Sequence, residues 1–252
     1  EALLLERPLH VPVRLGDEHG VRMPLADPGD HQGPELLRRC RPRVPAPRRL
    51  LELLDELDLP TVHVAGNSVG GWVALELAKL GRARTVTALA PAGLWRRPAP
   101  LHIRGGMRLA RLNAKIVRRL FPNAPRTRIG RALAASQVSG HPFRMPYEPA
   151  RDAIHAMAAA PGFRETLRAL EKDRFSGGAA ITVPVTVAFG TRDRVLLPRV
   201  ARRRDQLPEQ TRWVRLRGCG HVPMVDDPTA TADLLLRASD PDIVPDLGVA
   251  AR

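Results

Sequence analysis

The segment Val62-His63-Val64-Ala65-Gly66-Asn67-Ser68-Val69-Gly70-Gly71-Trp72 constrains this chain more than any other. An apolar run rich in β-branched residues leads into Gly-x-Ser-x-Gly. Trp72-Val73-Ala74-Leu75-Glu76-Leu77-Ala78-Lys79-Leu80 follows with helical character. Strand, sharp turn and helix in that order fit a serine held at the tip of a strained reversal. Gly66 and Gly70 lack a Cβ, so two backbones can approach there and Ser68 can hold an unusual φ/ψ. The helix begins with unpaired N–H groups and a positive dipole end, and its Val69 N–H faces any oxyanion formed on Ser68. The bare pattern also fits a Gly-rich turn with a capping serine, or a phosphate-cradling loop. A dinucleotide loop needs Gly-x-Gly-x-x-Gly and a Walker loop needs Lys after its last Gly, whereas Trp72 follows Gly71.

A serine hydroxyl is a weak nucleophile at neutral pH and needs an imidazole to take its proton. The chain offers one in the order Ser, Asp, His. Val183–Gly190 reads as a buried strand followed by Thr191-Arg192-Asp193-Arg194. Val214–Arg217 reads as a short strand followed by Gly218-Cys219-Gly220-His221-Val222-Pro223-Met224. Each polar residue sits just past the carboxyl end of a strand, where open α/β sheets gather their chemistry. His221 is then the base, and Asp193 fixes its tautomer and stabilises the imidazolium. Taken singly, His221 reads as a loop histidine and Asp193 as a turn or cap residue.

These pieces resemble the α/β-hydrolase family, in its branch of lid-bearing serine esterases and carbon–carbon hydrolases. The resemblance runs from about Leu50 to Ser239 and rests on Gly66-Asn67-Ser68-Val69-Gly70-Gly71, Phe189-Gly190-Thr191-Arg192-Asp193 and Gly220-His221-Val222-Pro223-Met224, with Asp227-Pro228 behind. It implies an α/β-hydrolase fold, a mostly parallel sheet flanked by helices with an inserted helical lid. Residues 1–94 and 180–252 would form the core and residues 95–179 the lid. It further implies Ser68, Asp193 and His221 as catalytic residues, the Val69 N–H as oxyanion donor, and Gly66, Asn67, Gly70 and Gly71 as the elbow around them. The expected activity is hydrolysis of small ester or acyl substrates through an acyl-enzyme. Asn67 beside Ser68 and Cys219-Gly220-His221 are similar to carbon–carbon bond hydrolases of ring-cleavage products, whereas Val222-Pro223-Met224 is closer to esterases. A catalytically impaired, truncated hydrolase-like protein is the rival from another class.

Between the strand Arg84–Ala90 and the resumption of strands at Ile181 lies a span too long for a structureless loop. Helical pieces are expected near Gly106–Leu120, Arg126–Ser136, Ala150–Ala159 and Phe163–Lys172. Trp95, Met107, Phe121, Phe143, Met145, Tyr147, Met157 and Phe163 are candidates for an acyl pocket or for the lid's own core. Helices are expected at Arg48–Leu57, Val200–Leu207 and Ala230–Ala238, with a fraying tail from Asp240. Residues 1–47 are atypical. Hydrolases of this kind carry a His-Gly loop that supplies a second oxyanion N–H, then an Asp-x-x-Gly-x-Gly-type turn. Asp27-Pro28-Gly29-Asp30-His31-Gln32-Gly33 occupies about the place of that turn. His19-Gly20 is the one His-Gly pair, and Gly-Asp-Glu precedes it instead of an apolar strand. The first residue is Glu, which fits a fragment, a misplaced start or a partly out-of-frame Arg7–Arg49. A lost oxyanion donor would slow catalysis by roughly 10²–10³.

Composition narrows the partners. A chain of 252 residues with 44% hydrophobic residues can bury the core of one α/β domain. No apolar run approaches a membrane span and no secretory signal opens the chain, so a cytoplasmic protein without an integral membrane segment is expected. Cys40 and Cys219 read as reduced thiols, Cys219 as a small loop residue. The formal net charge of +14 comes almost wholly from arginine, against three lysines (Lys79, Lys115, Lys172). Abundant Arg, Ala, Pro and Gly fit GC-rich coding, and with 4% aromatics and no recognition module a nucleic-acid partner is not expected. Arg104, Arg108, Arg111, Lys115, Arg118 and Arg119 recur every three to four residues and would share one helix face, solvated or weakly drawn to anionic surfaces. The partner is therefore a small-molecule substrate. No motif fixes an oligomeric state, and neither metal nor organic cofactor is implied.

Overall fold

The computed structural model describes residues 46–96 and 99–240. Four parallel strands, β1 (Val62–Asn67), β2 (Ala83–Leu89), β3 (Val185–Gly190) and β4 (Arg212–Leu216), form a sheet in the order β1-β2-β3-β4. β3 is buried along its whole length and β2 at all positions but one. Their runs of apolar and threonine residues suit strands covered on both faces. Alternation along β2 and β3 divides the core. Ala88, Val187 and Phe189 join Trp72, Leu75 and Leu77 on one face, while Leu89 and Ala188 join Val214, Leu216 and Leu234 on the other.

Two helices precede and follow β1. In α1 (Ala46–Glu56), Leu51 and Leu54 lie three apart and are buried, while Glu52 and Glu56 face water. α1 ends at a turn with Asp58 at φ 51°, and Pro60 prevents its continuation. α2 (Val69–Lys79) packs on β1 and β2 and is buried from Gly71 to Ala78. Each fully buried leucine there contributes roughly 1.5–3 kcal/mol of transfer free energy. Its one buried carboxylate, Glu76, accepts from the Trp72 indole at 3.0 Å and pairs with Lys79 at 2.7 Å.

Between β2 and β3 lie α3 (Leu101–Leu120), α4 (Arg128–Ala135), α5 (Tyr147–Ala159) and α6 (Phe163–Lys172), with α3 packed on α5 and α6 and α4 on α5. α3 begins five residues before the expected Gly106, because Gly105 and Gly106 continue the helix. α5 begins at Tyr147, since Pro149 falls in its first turn, where a missing N–H breaks no intrahelical bond. After β3 come α7 (Pro198–Ala201), then, beyond β4, α8 (Pro223–Asp226) and α9 (Pro228–Ser239). α9 packs on the sheet and is capped by the Asp227 carboxylate, which accepts from Ala230 N at 2.9 Å.

The expected helix Val200–Leu207 forms only over Val200 and Ala201, the last residues of α7. It stops at Ala201 and gives way to a 3₁₀ turn at Arg204–Gln206. Tertiary contacts override its helical pattern. Arg202 lies over the Phe189 ring and Arg204 over the Trp213 ring, and the Gln206 amide donates to Trp95 O and Phe175 O. Cys40, His19-Gly20, Asp27–Gly33 and the tail beyond Asp240 lie outside the described residues. No described helix is long and apolar enough to cross a membrane.

Candidate active site

The carboxyl ends of the four strands are in register. Asn67 pairs with Leu89, Leu89 with Ala188, and Gly190 with Leu216. Ser68 follows β1 at once, Asp193 lies three residues past β3 and His221 five past β4, so all three project from one end of the sheet.

Ser68 sits between β1 and α2 at φ 56° and ψ −116°, a region strained for any residue with a Cβ. Its surroundings hold it there. Ser68 N donates to Leu89 O at 2.9 Å, and Ser68 O accepts from Trp72 N at 3.2 Å and Ala92 N at 2.9 Å. A Cβ on Gly66 would stand 2.2 Å from Gly70 O, and one on Gly71 would meet Pro91 at 3.0 Å. Gly70 differs from expectation: a Cβ there would meet nothing within 4 Å, so only its carbonyl, pressed against Gly66, takes part in the close approach.

His221 is buried, and its Nδ1 lies 3.1 Å from Asp193 Oδ2. The Asp193 side chain is fully buried, and its Oδ1 accepts from Val195 N and Leu196 N, each at 2.9 Å. Two backbone donors and one ring hold this carboxylate in place. With Nδ1–H donating to Asp193, the neutral ring keeps Nε2 as an acceptor. Ser68 and His221 both line one cavity of about 500 Å³, a size usual for small-molecule sites. Its wall is mostly apolar, with Val69, Trp95, Ile103 and Met107 among the lining, while His102, Gln137 and Arg194 are its polar members besides Ser68 and His221.

Two positioning roles escape sequence reading, that of Asn67, legible only as part of the elbow, and that of Asp226. The Asn67 amide donates to Leu89 O at 3.1 Å and to His221 O at 2.9 Å, bridging elbow and histidine loop. Asp226 accepts from Gly220 N at 2.6 Å on one side, and from Ser139 Oγ at 2.5 Å and Gly140 N at 2.8 Å on the other. It thus ties the histidine loop to the segment between α4 and α5, where Val222 N also donates to Val138 O at 3.1 Å. Gly140 and Gly220 permit this contact, since a Cβ on either would fall within 2.6 Å of the opposing backbone. An acidic residue just before the Asp227-Pro228 helix start is the only local signal for Asp226.

Cys219, two residues from His221, is buried with no disulfide. Burial pushes its thiol up to about 11, and the Asp226 and Asp227 carboxylates add to the rise. It therefore stays protonated at neutral pH and is no nucleophile. Of the candidate pocket residues, Trp95, Met107 and Met157 line the cavity with Ser68. Phe121 and Phe143 are exposed, and Tyr147 and Phe163 stack under Arg151 and Arg111. The expected basic face of α3 is split. Arg108 pairs with Glu171 and Arg111 donates to Ala160 O at 2.8 Å, leaving Lys115, Arg118 and Arg119 exposed.

A profile of the alpha/beta hydrolase family matches residues 5–234. The chain belongs to that family. It is 35% identical over 192 residues to epoxide hydrolase EphH of Mycobacterium tuberculosis, covering 72% of this chain and 87% of that relative. A membrane phospholipase A described as a bacterial virulence factor superposes with a TM-score of 0.53 at 24% identity, covering 75% of this chain and 60% of that one. The chain thus spans under two thirds of that protein's length. 2-Hydroxy-6-oxo-6-phenylhexa-2,4-dienoate hydrolase from Rhodococcus sp. strain RHA1 superposes with a TM-score of 0.52 at 18% identity, covering 75% and 68%. Both structures share the fold.

Proposed function

We propose that this chain is a serine-dependent hydrolase of small ester or acyl substrates, with Ser68, His221 and Asp193 as its triad and α3–α6 as its lid. One observation carries the reading: a strained elbow serine shares an apolar cavity with a histidine whose ring is held by a buried carboxylate. His221 Nε2 takes the Ser68 Oγ proton as Oγ bonds to the substrate carbonyl carbon, and the Val69 N–H stabilises the oxyanion. The intermediate collapses, the bond from carbonyl carbon to alcohol oxygen breaks, and His221 returns its proton to the departing alkoxide. Water then gives a proton to His221 and attacks the acyl carbon. The bond to Ser68 breaks, Oγ recovers the proton and the carboxylic acid leaves. The reduced thiol reading of both cysteines supports a cytoplasmic setting.

Epoxide opening, named for the 35% identical relative, fits Ser68 poorly. A serine alkoxide attacking an epoxide carbon leaves an ether, which has no carbonyl for water to attack. The only tyrosine, Tyr147, is not among the cavity-lining residues either, so no phenol there would protonate an opening ring. Carbon–carbon bond hydrolysis is the second reading, favoured by Arg194 in the cavity wall, a partner for the carboxylate of a ring-cleavage product. Turnover of phenyl acetate, styrene oxide and a ring-fission dienoate by the full chain separates the three. The ester reading requires phenyl acetate hydrolysis that Ser68→Ala abolishes, and turnover of styrene oxide alone would refute it.

Weak attraction to anionic surfaces is proposed for exposed Lys115, Arg118 and Arg119, beside exposed Leu112 and Ile116 on α3. Sedimentation with anionic vesicles that fades with rising salt tests it.

A further inference from the structure

The cavity holding Ser68 and His221 does not end at the lid. Ala110, Gln137, Val138 and Met157 bound it on that side, and the same four residues bound a second space of about 210 Å³ between α3, α4 and α5. The two spaces therefore adjoin across a wall to which these four residues contribute. Of these, Met157 is unbranched and half-buried, a side chain able to swing aside without moving backbone.

The second space is apolar and kept open by small residues. Ala114, Ala135 and Ala150 line its buried side, and Ala134 and Ala153 its exposed rim. To one side Ala114, Ile154 and Ala158 pack together, and to the other Ala135, Met145 and Ala150 do. Leu133, at its border, is 72% exposed and leaves the space open. The space also offers an ionic or strongly polar ligand no charged group, since only Asn113, Ser136 and Gln137 among its lining carry polar side chains.

We propose that this second space is an acyl-arm channel, taking the far end of an unbranched aliphatic acyl chain whose carbonyl lies at Ser68. The proposal rests on the ester reading of Ser68 and deepens it by naming the substrate class: esters of medium-length, straight-chain aliphatic acids. The space holds roughly six or seven groups the size of water or methylene. Its opening at Ala134 and Ala153 leaves longer chains a way out.

The test uses the full chain and p-nitrophenyl acetate, hexanoate and decanoate, with Ala153→Phe and Ala134→Phe as plugs at exposed rim positions that leave the fold intact. The readout is the decanoate-to-acetate ratio of kcat/KM, alongside Tm. The channel requires the ratio to exceed about tenfold in the unaltered chain and to fall at least about fivefold in each plugged variant. A plugged variant with a raised Tm and an unchanged ratio would show a mere packing void and overturn the proposal. A flat chain-length profile with acetate turned over overturns it too, while leaving the ester reading standing. No turnover of any ester, acetate included, overturns both.

Discussion

The Asn67 side-chain amide donates to the backbone carbonyl of His221 at 2.9 Å, so the residue before Ser68 holds the loop that carries its base. The bond fixes the separation of elbow and imidazole, to which proton transfer is steeply sensitive. Asn67→Ala should lower kcat about tenfold, the equivalent of one net hydrogen bond, with KM little changed. Asn67→Asp should be worse, because a carboxylate would face the carbonyls of both Leu89 and His221. Steady-state kinetics on p-nitrophenyl acetate checks both, and a loss confined to KM would contradict the positioning role.

Asp193→Asn tests the tautomer argument. The Asn Oδ1 can still accept from Val195 N and Leu196 N, but its NH₂ then donates to His221 Nδ1 and forces the ring proton onto Nε2. A ring protonated there cannot accept from Ser68. We expect kcat to fall by about 10⁴, the size of the same exchange in a serine protease triad, with a Tm shift of only a few degrees. Kinetics paired with thermal unfolding measures this.

Much of this site is legible in the chain, and the reason is local. Ser68, Asp193 and His221 each follow a strand whose apolar run announces it, and a parallel sheet brings the carboxyl ends of its strands to one side. Asn67 and Asp226 are another matter. Their long-range partners, His221 O and Gly140 N, lie 154 and 86 residues away, so no window of sequence contains those bonds. The helix bounds erred for related reasons. Gly105 and Gly106 look like a break but continue α3, and Val200–Leu207 has a helical pattern undone by rings at Phe189 and Trp213.

Asp226 should matter more to stability than its half-exposed position implies. Removing it leaves the Gly220 and Gly140 N–H groups and the Ser139 hydroxyl without their acceptor. Asp226→Ala should lower unfolding free energy by roughly 3 kcal/mol. Urea denaturation reads the change. The variant should also bring the Cys219 thiol below about 11, since the Asp226 charge contributes to its rise. The pH dependence of iodoacetamide labelling reports that shift.

Cys219 itself gives a pH signature. Its ordinary value of 9.0 is raised to about 11 in the fold, chiefly by burial. Between those values the unfolded chain releases the proton while the folded one keeps it, so the unfolded state binds fewer protons and stability falls as pH rises. Below about 9 the thiol is protonated in both states and contributes no slope. Cys219→Ala should flatten the decline in Tm between pH 9 and 11, and equal slopes in both proteins would contradict the assignment.

The most direct measurement is intact mass of the full chain after treatment with a fluorophosphonate, beside Ser68→Ala. An activated elbow serine predicts a single adduct, mapped to Ser68 and lost in Ser68→Ala. A chain shown by circular dichroism to be folded, yet carrying no adduct, would contradict the catalytic reading of Ser68, Asp193 and His221.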